Sequence, residues 1–171
     1  MKQLAMPSKA LYLQAQFDAE TQNALAGYYG ALRENGFEGS QTKNIPYHFT
    51  LGTHTPGDEE RLAQELAETC ARTACVDIAL AHVGLFGQTV LFVAPNMNFE
   101  LLELRAGFFP GSGKGCHAWS AHATLLIDEP EAVLKALPIV AGRFKPAKAR
   151  IESVALYEFF PARLVRECRL N

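Results

Sequence analysis

The chain has 171 residues and a mass of 18.8 kDa, enough for one domain of ordinary size or two small lobes on a shared core. Apolar residues make up 49% and charged residues 20%, a balance that excludes disorder, collagen-like repeats and coiled coil. A net charge of −2 excludes a polyanion binder working by overall charge, no apolar run approaches the ~18 residues of a membrane span, and the first residues hold no signal-peptide stretch, so a cytoplasmic protein without a membrane partner is expected.

Residues 10–17 read as a strand, and Asp18 stands where a helix N-cap belongs. A helical pattern follows over 20–34 through Leu25, Tyr28, Tyr29 and Leu32, with Gly36 as its stop. Pro46 to Thr53 is rich in aromatic and β-branched residues and predicts a strand. Asp58 to Arg72 predicts a helix with Leu62, Leu66 and Thr69 on one stripe. Two apolar runs, 76–86 and 89–94, are split by Gly87-Gln88 and predict a hairpin. A helix at about 98–107, a strand over 120–127, a helix over 130–137 and a strand over 150–160 follow, and a last strand over 163–170 closes the order.

Laid side by side, residues 10–86 and 89–160 are both strand-helix-strand-helix-strand. The middle strands match as His48-Phe49-Thr50-Leu51 and His122-Ala123-Thr124-Leu125. The third strands match as Val83-Gly84-Leu85-Phe86 and Val154-Ala155-Leu156-Tyr157. This order predicts an α+β fold of two lobes built from a duplicated β-α-β-α-β unit, all within one domain over 1–171, with the middle strands facing each other across a central cleft.

Side chains alternate along a strand, so residues two apart share a face at about 6.5–7 Å. His48 and Thr50 therefore point one way, opposite Tyr47, Phe49 and Leu51; His122 and Thr124 point away from Ala121, Ala123 and Leu125. A cleft between the lobes would hold two imidazoles and two hydroxyls. Phosphodiester cleavage needs a base for the nucleophile, an acid for the leaving oxygen and donors for the phosphoryl oxygens. Imidazole suits the first two roles near pH 7, and threonine hydroxyls suit the third. Chance gives roughly 0.03 His-x-Thr-Leu matches in a chain of this composition, so two at corresponding places in a repeated order are specific. A buried, hydrogen-bonded core histidine is the simpler reading for one such motif, but not for the pair.

The tandem motifs resemble the signature of the two-histidine (2H) phosphoesterases, which include the bacterial 2′-5′ RNA ligases and cyclic phosphodiesterases. The resemblance spans most of the chain, including the Val83-Gly84-Leu85-Phe86 segment between the motifs. It implies a bilobal α+β fold and metal-independent hydrolysis of 2′,3′-cyclic phosphates or related diesters, leaving a 2′-phosphate. It also implies catalysis by His48, Thr50, His122 and Thr124, no cofactor, and a nucleotide or RNA terminus bearing a cyclic or 2′-phosphate as partner. The motifs leave open which histidine is acid and which is base. They also leave open RNA end joining, the reverse transfer; the alternative of a non-catalytic module that binds RNA ends or nucleotides in the same cleft is opposed by the two intact motifs, because a pure binder need not keep two imidazoles.

Phe86 and Tyr157, matched on the third strands, could stack a base, and Lys43 and Lys114, in the loops before the motif strands, could reach a phosphate. Core packing and solvated loop lysines are the plainer alternatives. Trp119, just ahead of the second motif, reads as a core or rim residue. The run from Phe109 to Gly115 lacks the first glycine and the Ser/Thr of a P-loop. His48, His54, Cys116 and His117 have no standard zinc spacing. Cys70, Cys75, Cys116 and Cys168 form no C-x-x-C pair and read as reduced thiols. Residues 143–171 hold seven basic and three acidic side chains, which permits a basic face for a phosphate-bearing ligand.

Overall fold

A computed structural model describes residues 9–109 and 119–171. Strand β1 (Ala10–Phe17) leads into helix α1 (Ala19–Glu34), whose first turn is capped by Asp18 accepting from the Thr21 N–H at 2.9 Å. The helix ends at Gly36, with φ +85°. The Gly36 and Phe37 N–H groups bond back to the carbonyls of Arg33 and Leu32, a closure that requires a left-handed residue. Then come β2 (His48–His54), α2 (Glu59–Cys70), β3 (Val76–Phe86), β4 (Val90–Pro95), α3 (Phe99–Phe108), β5 (Ala123–Ile127), α4 (Pro130–Arg143), β6 (Ala147–Phe159) and β7 (Arg163–Arg169).

The expected order of elements is present, with differences at some ends. Helix α4 runs to Arg143, six residues past the expected stop, with Pro138 inside it. Proline leaves the carbonyl four residues back without its donor, but Leu134 and Pro138 are both exposed, so water can serve that carbonyl. Val133, Ala136 and Val140 meanwhile keep an unbroken buried stripe. Strand β5 starts at Ala123 rather than residue 120, so His122 stands just ahead of it; β2 likewise begins at His48 rather than Pro46.

Among the described residues the strands form one antiparallel sheet in the order β2-β1-β6-β3-β4-β5, with β7 on β6. Strand β6 joins the halves. One of its edges pairs with β1 from Ile151 to Phe159, and the other pairs with β3 over Ala147–Ile151 and then with β7. The third strand of each predicted unit therefore lies in the other unit's sheet: β6 beside β1, and β3 beside β4. The pairings otherwise run in step. Gln14 lies between Thr50 and Ala155, and Phe92 lies between Thr124 and Gly84. Both middle strands also bulge at the same point, where Leu51 and Leu125 are passed over in the register. A bulge adds twist and re-aims neighbouring side chains. These parallels support the reading of a duplicated unit.

The helices lie against one face of the sheet, and a single buried cluster runs through both halves, from Leu11, Leu25 and Phe49 to Leu91, Val133 and Leu156. No helix among the described residues is long and apolar enough to cross a membrane. The opposite face of β1 and β6 is mixed: Gln14, Gln16 and Ser153 are buried on it beside a second apolar cluster of Ala155, Tyr157 and Phe159 with Tyr12.

Candidate active site

The alternation expected of both motifs is visible in their burial: Phe49, Leu51, Ala123 and Leu125 are buried, whereas His48, Thr50, His122 and Thr124 are partly exposed. Strands β2 and β5 approach one another, and His48, Thr50 and Thr124 line one cavity of about 570 Å³. The fold thus brings His48 and both threonines to one cavity, whereas His122 stands near enough to repel a charge on His48 but is not among the lining residues.

The imidazoles are held alike. His48 Nδ1 lies 2.8 Å from the Pro46 carbonyl, and His122 Nδ1 lies 2.8 Å from the Ser120 carbonyl. A carbonyl only accepts, so each Nδ1 carries the proton and each Nε2 is left without a backbone partner among the described residues. Burial pushes the His48 imidazole down to about 4, partly offset by its bond to Pro46 and reinforced by repulsion from His122. His48 is therefore neutral in the empty cleft near pH 7, and its Nε2 lone pair is ready to take a proton. An anion bound between the rings would raise its proton affinity.

The backbone beneath His48 is fixed from α1. The Gln22 side-chain amide accepts from the Tyr47 N–H and donates to the Tyr47 carbonyl, both at 2.9 Å. This grips the peptide between Pro46, which orients the ring, and His48 itself. The free edge of each motif strand is covered by the other half. Trp119 Nε1 donates to the Thr50 carbonyl at 2.9 Å, and Arg105 Nε donates to the Leu51 carbonyl at 3.2 Å while its guanidinium lies 4.9 Å over the Trp119 ring. Opposite, the Ser40 N–H donates to the Ile127 carbonyl at 2.7 Å, and Gln41 Oε1 accepts from the Ile127 N–H at 3.0 Å. Edge strands need such cover, and here it also ties the two motifs together.

The other sequence candidates separate. Phe86 meets His122 edge-on, with ring centroids 4.6 Å apart, and Phe92 lies 5.3 Å from the same ring. Tyr157 is buried beside Phe159 and does not line the cavity, which sets it behind the wall rather than in it. Lys43 lines the cavity and pairs loosely with Glu38 at 3.7 Å; Lys114, Cys116 and His117 lie outside the described residues. The tail's basic residues do not line the cavity, and Arg150, Arg163 and Arg169 pair with Asp77, Glu158 and Glu152. Among the described residues no three His, Cys, Asp or Glu side chains are grouped to hold a metal ion. Sequence reasoning passed over Gln14, Gln22 and Tyr47. The signal for Gln14 was present: Tyr12, Gln14 and Gln16 are the alternate, non-core positions of an otherwise apolar strand.

A family model for the 2′-5′ RNA ligase superfamily matches residues 20–159. The chain belongs to that superfamily. As a 2′-5′ RNA ligase superfamily member it also shares the fold of the 2H phosphoesterases. It is similar to the apo structure of LigT from E. coli at 17% identity and TM-score 0.64, over 95% of this chain and 98% of that one. The same LigT complexed with 3′-AMP gives 18% identity and TM-score 0.62, over 95% and 98%. TT0787 of Thermus thermophilus gives 17% identity and TM-score 0.62, over 94% and 97%. No curated protein sequence matches the chain.

Proposed function

We propose that this protein is a cytoplasmic phosphodiesterase acting on 2′,3′-cyclic phosphate ends of nucleotides or RNA, or on 2′-5′ linkages, through His48 and His122. The observation that carries this reading is the repeated geometry: two imidazoles, each with Nδ1 tied to the carbonyl two residues back, on strands whose His48, Thr50 and Thr124 line one cavity. In the proposed turnover one Nε2 takes a proton from the attacking water, and the other Nε2–H gives one to the departing ribose oxygen. The pair therefore ends with its protons exchanged and returns to its starting state through solvent. Thr50 and Thr124 donate to the phosphoryl oxygens as charge develops there. These side chains supply acid, base and oxyanion donors, so the reading requires no metal or cofactor. The 3′-AMP bound by E. coli LigT is in keeping with a nucleotide-sized substrate.

The test is a panel of nucleoside 2′,3′-cyclic phosphates, 2′-5′ dinucleotides and cyclic-phosphate-ended RNA, assayed in excess EDTA with the product phosphate located. Turnover to a 2′-phosphate is expected, reduced about 10³-fold or more in both His48→Ala and His122→Ala. Dependence on added metal, or a fully active single variant, would refute the proposal. Tight nucleotide binding with no turnover of any substrate would leave a binding module instead.

A further inference from the structure

The two halves of the cleft are not equally open. The positions of Tyr12, Gln14 and Ala155 in the first half are taken by Val90, Phe92 and Gly84 in the second. Phe92 lies over Gly84, its ring atoms 2.7 Å from where a Cβ would stand, and stacks on Phe86 with centroids 4.3 Å apart. That half is filled by its own side chains. The first half instead holds the cavity of about 570 Å³, walled by Tyr12, Ile45, Phe159 and Phe160. Tyr12 and Phe159 brace each other edge-on at 4.9 Å, so they form one fixed aromatic wall, while Arg33, Glu38, Lys43 and Asn44 line the cavity elsewhere.

Gln14 lines this cavity at 1% exposure, and its Oε1 is buried without a hydrogen-bond partner among the described residues. A buried carbonyl oxygen left unpaired costs about 1–3 kcal/mol, and apolar substitution would be the ordinary solution, as Phe92 shows at the matching position. An orphan acceptor beside a cavity walled in part by aromatic rings suits a flat ligand with an N–H on its edge, toward which the Gln14 amide must turn its oxygen. We propose that this cavity seats the substrate's nucleobase and that Gln14 is the specificity-determining residue that accepts from its N–H edge. The placement rests on the functional reading above for the phosphate's position between Thr50 and Thr124, but its test is one of binding and does not require turnover.

The experiment is calorimetry on the whole protein with adenosine 2′-phosphate, purine riboside 2′-phosphate (which lacks the exocyclic amine and so any base N–H) and a base-free methyl riboside 2-phosphate. Adenosine 2′-phosphate should bind at least tenfold more tightly than either of the other two. In Gln14→Leu and the closely isosteric Gln14→Met, its advantage over the purine riboside should shrink below about threefold. Equal affinity of wild type for adenosine and purine riboside phosphates, or an advantage that survives both substitutions, would overturn the proposal. The purine riboside comparison needs no variant, so it stands even if a substitution at Gln14 prevents folding. Base-dependent binding in a protein that turns over no cyclic phosphate would uphold the pocket and refute the catalytic reading.

Discussion

The two halves of the cleft carry the same motif on different foundations. His48 is partly exposed beside Gln16 of β1, and its backbone is gripped by Gln22 from α1. His122 leans on an aromatic pair, Phe86 and Phe92, that occupies the space left open beside Gln14. What repeats is the part the chemistry needs: ring, hydroxyl, carbonyl anchor and bulge. The surroundings differ beside the threonines, where Gln14 and an open cavity stand in one half and Phe92 over Gly84 in the other. If the proposed function holds, a symmetrical cleft would accept a phosphodiester in either orientation, and one filled half with one open half would choose between them.

The threonines are the strongest test of the equivalence. Thr50→Val and Thr124→Val each keep the strand and remove a donor, and each should lower kcat by on the order of 10²-fold. A loss confined to one variant would mean that the phosphoryl oxygens are held from one side only. Gly84→Ala probes the filled half. Its methyl group would displace the Phe92 ring, at about 1–3 kcal/mol, which calorimetric melting should report as a lower Tm. If Tm is unchanged, Phe92 is not a fixed floor for His122.

Gln22→Ala should separate positioning from binding in the open half. It frees the Tyr47 peptide, so kcat should fall roughly tenfold with KM within about twofold, because the ring is misplaced while the pocket stays. A change in KM alone would assign Gln22 to substrate contact instead. The smallest effect is on stability against pH. Because His48 is held near 4 when folded and about 6.5 is its ordinary value, the unfolded chain binds more protons between those limits. Stability from this site is full above about pH 6.5 and is lost as pH falls toward 4. With solvent at the ring edge the loss is on the order of 1–2 kcal/mol. Denaturant midpoints at pH 7 and pH 4.5 should show a shallower decline in His48→Gln than in wild type.

Periodicity and caps make the element order and the motif faces legible from the amino-acid sequence, because those signals are local. Asp18 at the start of α1 and Gly36 beyond its end are examples. The match of Gly84 to Ala155 likewise survives in the sheet register. The exchange of β3 and β6 between the halves is not legible, since strand pairing depends on contacts far apart in sequence. Nor is the fate of Tyr157: its alternation marks the correct face of β6, but Phe159 and Tyr12 close over it. The extension of α4 past residue 137 is not legible either, because a helix interior tolerates Pro138 only through its context: an exposed position with a buried stripe on the other side.

The crossing of β6 has a consequence for how the chain acquires its shape. Strand β1 forms at the start of the described chain, yet its neighbour on one side, residues 151–159, emerges from the ribosome roughly 140 residues later. Such pairings carry high contact order and close slowly. Until β6 arrives, β1 exposes an unpaired edge and β3 lacks the partner at its first residues, Val76 to Leu80. Neither half can complete its sheet alone. The histidine motifs therefore face each other only after the last long strand has been laid between them, and the cleft is among the final features the nascent chain acquires.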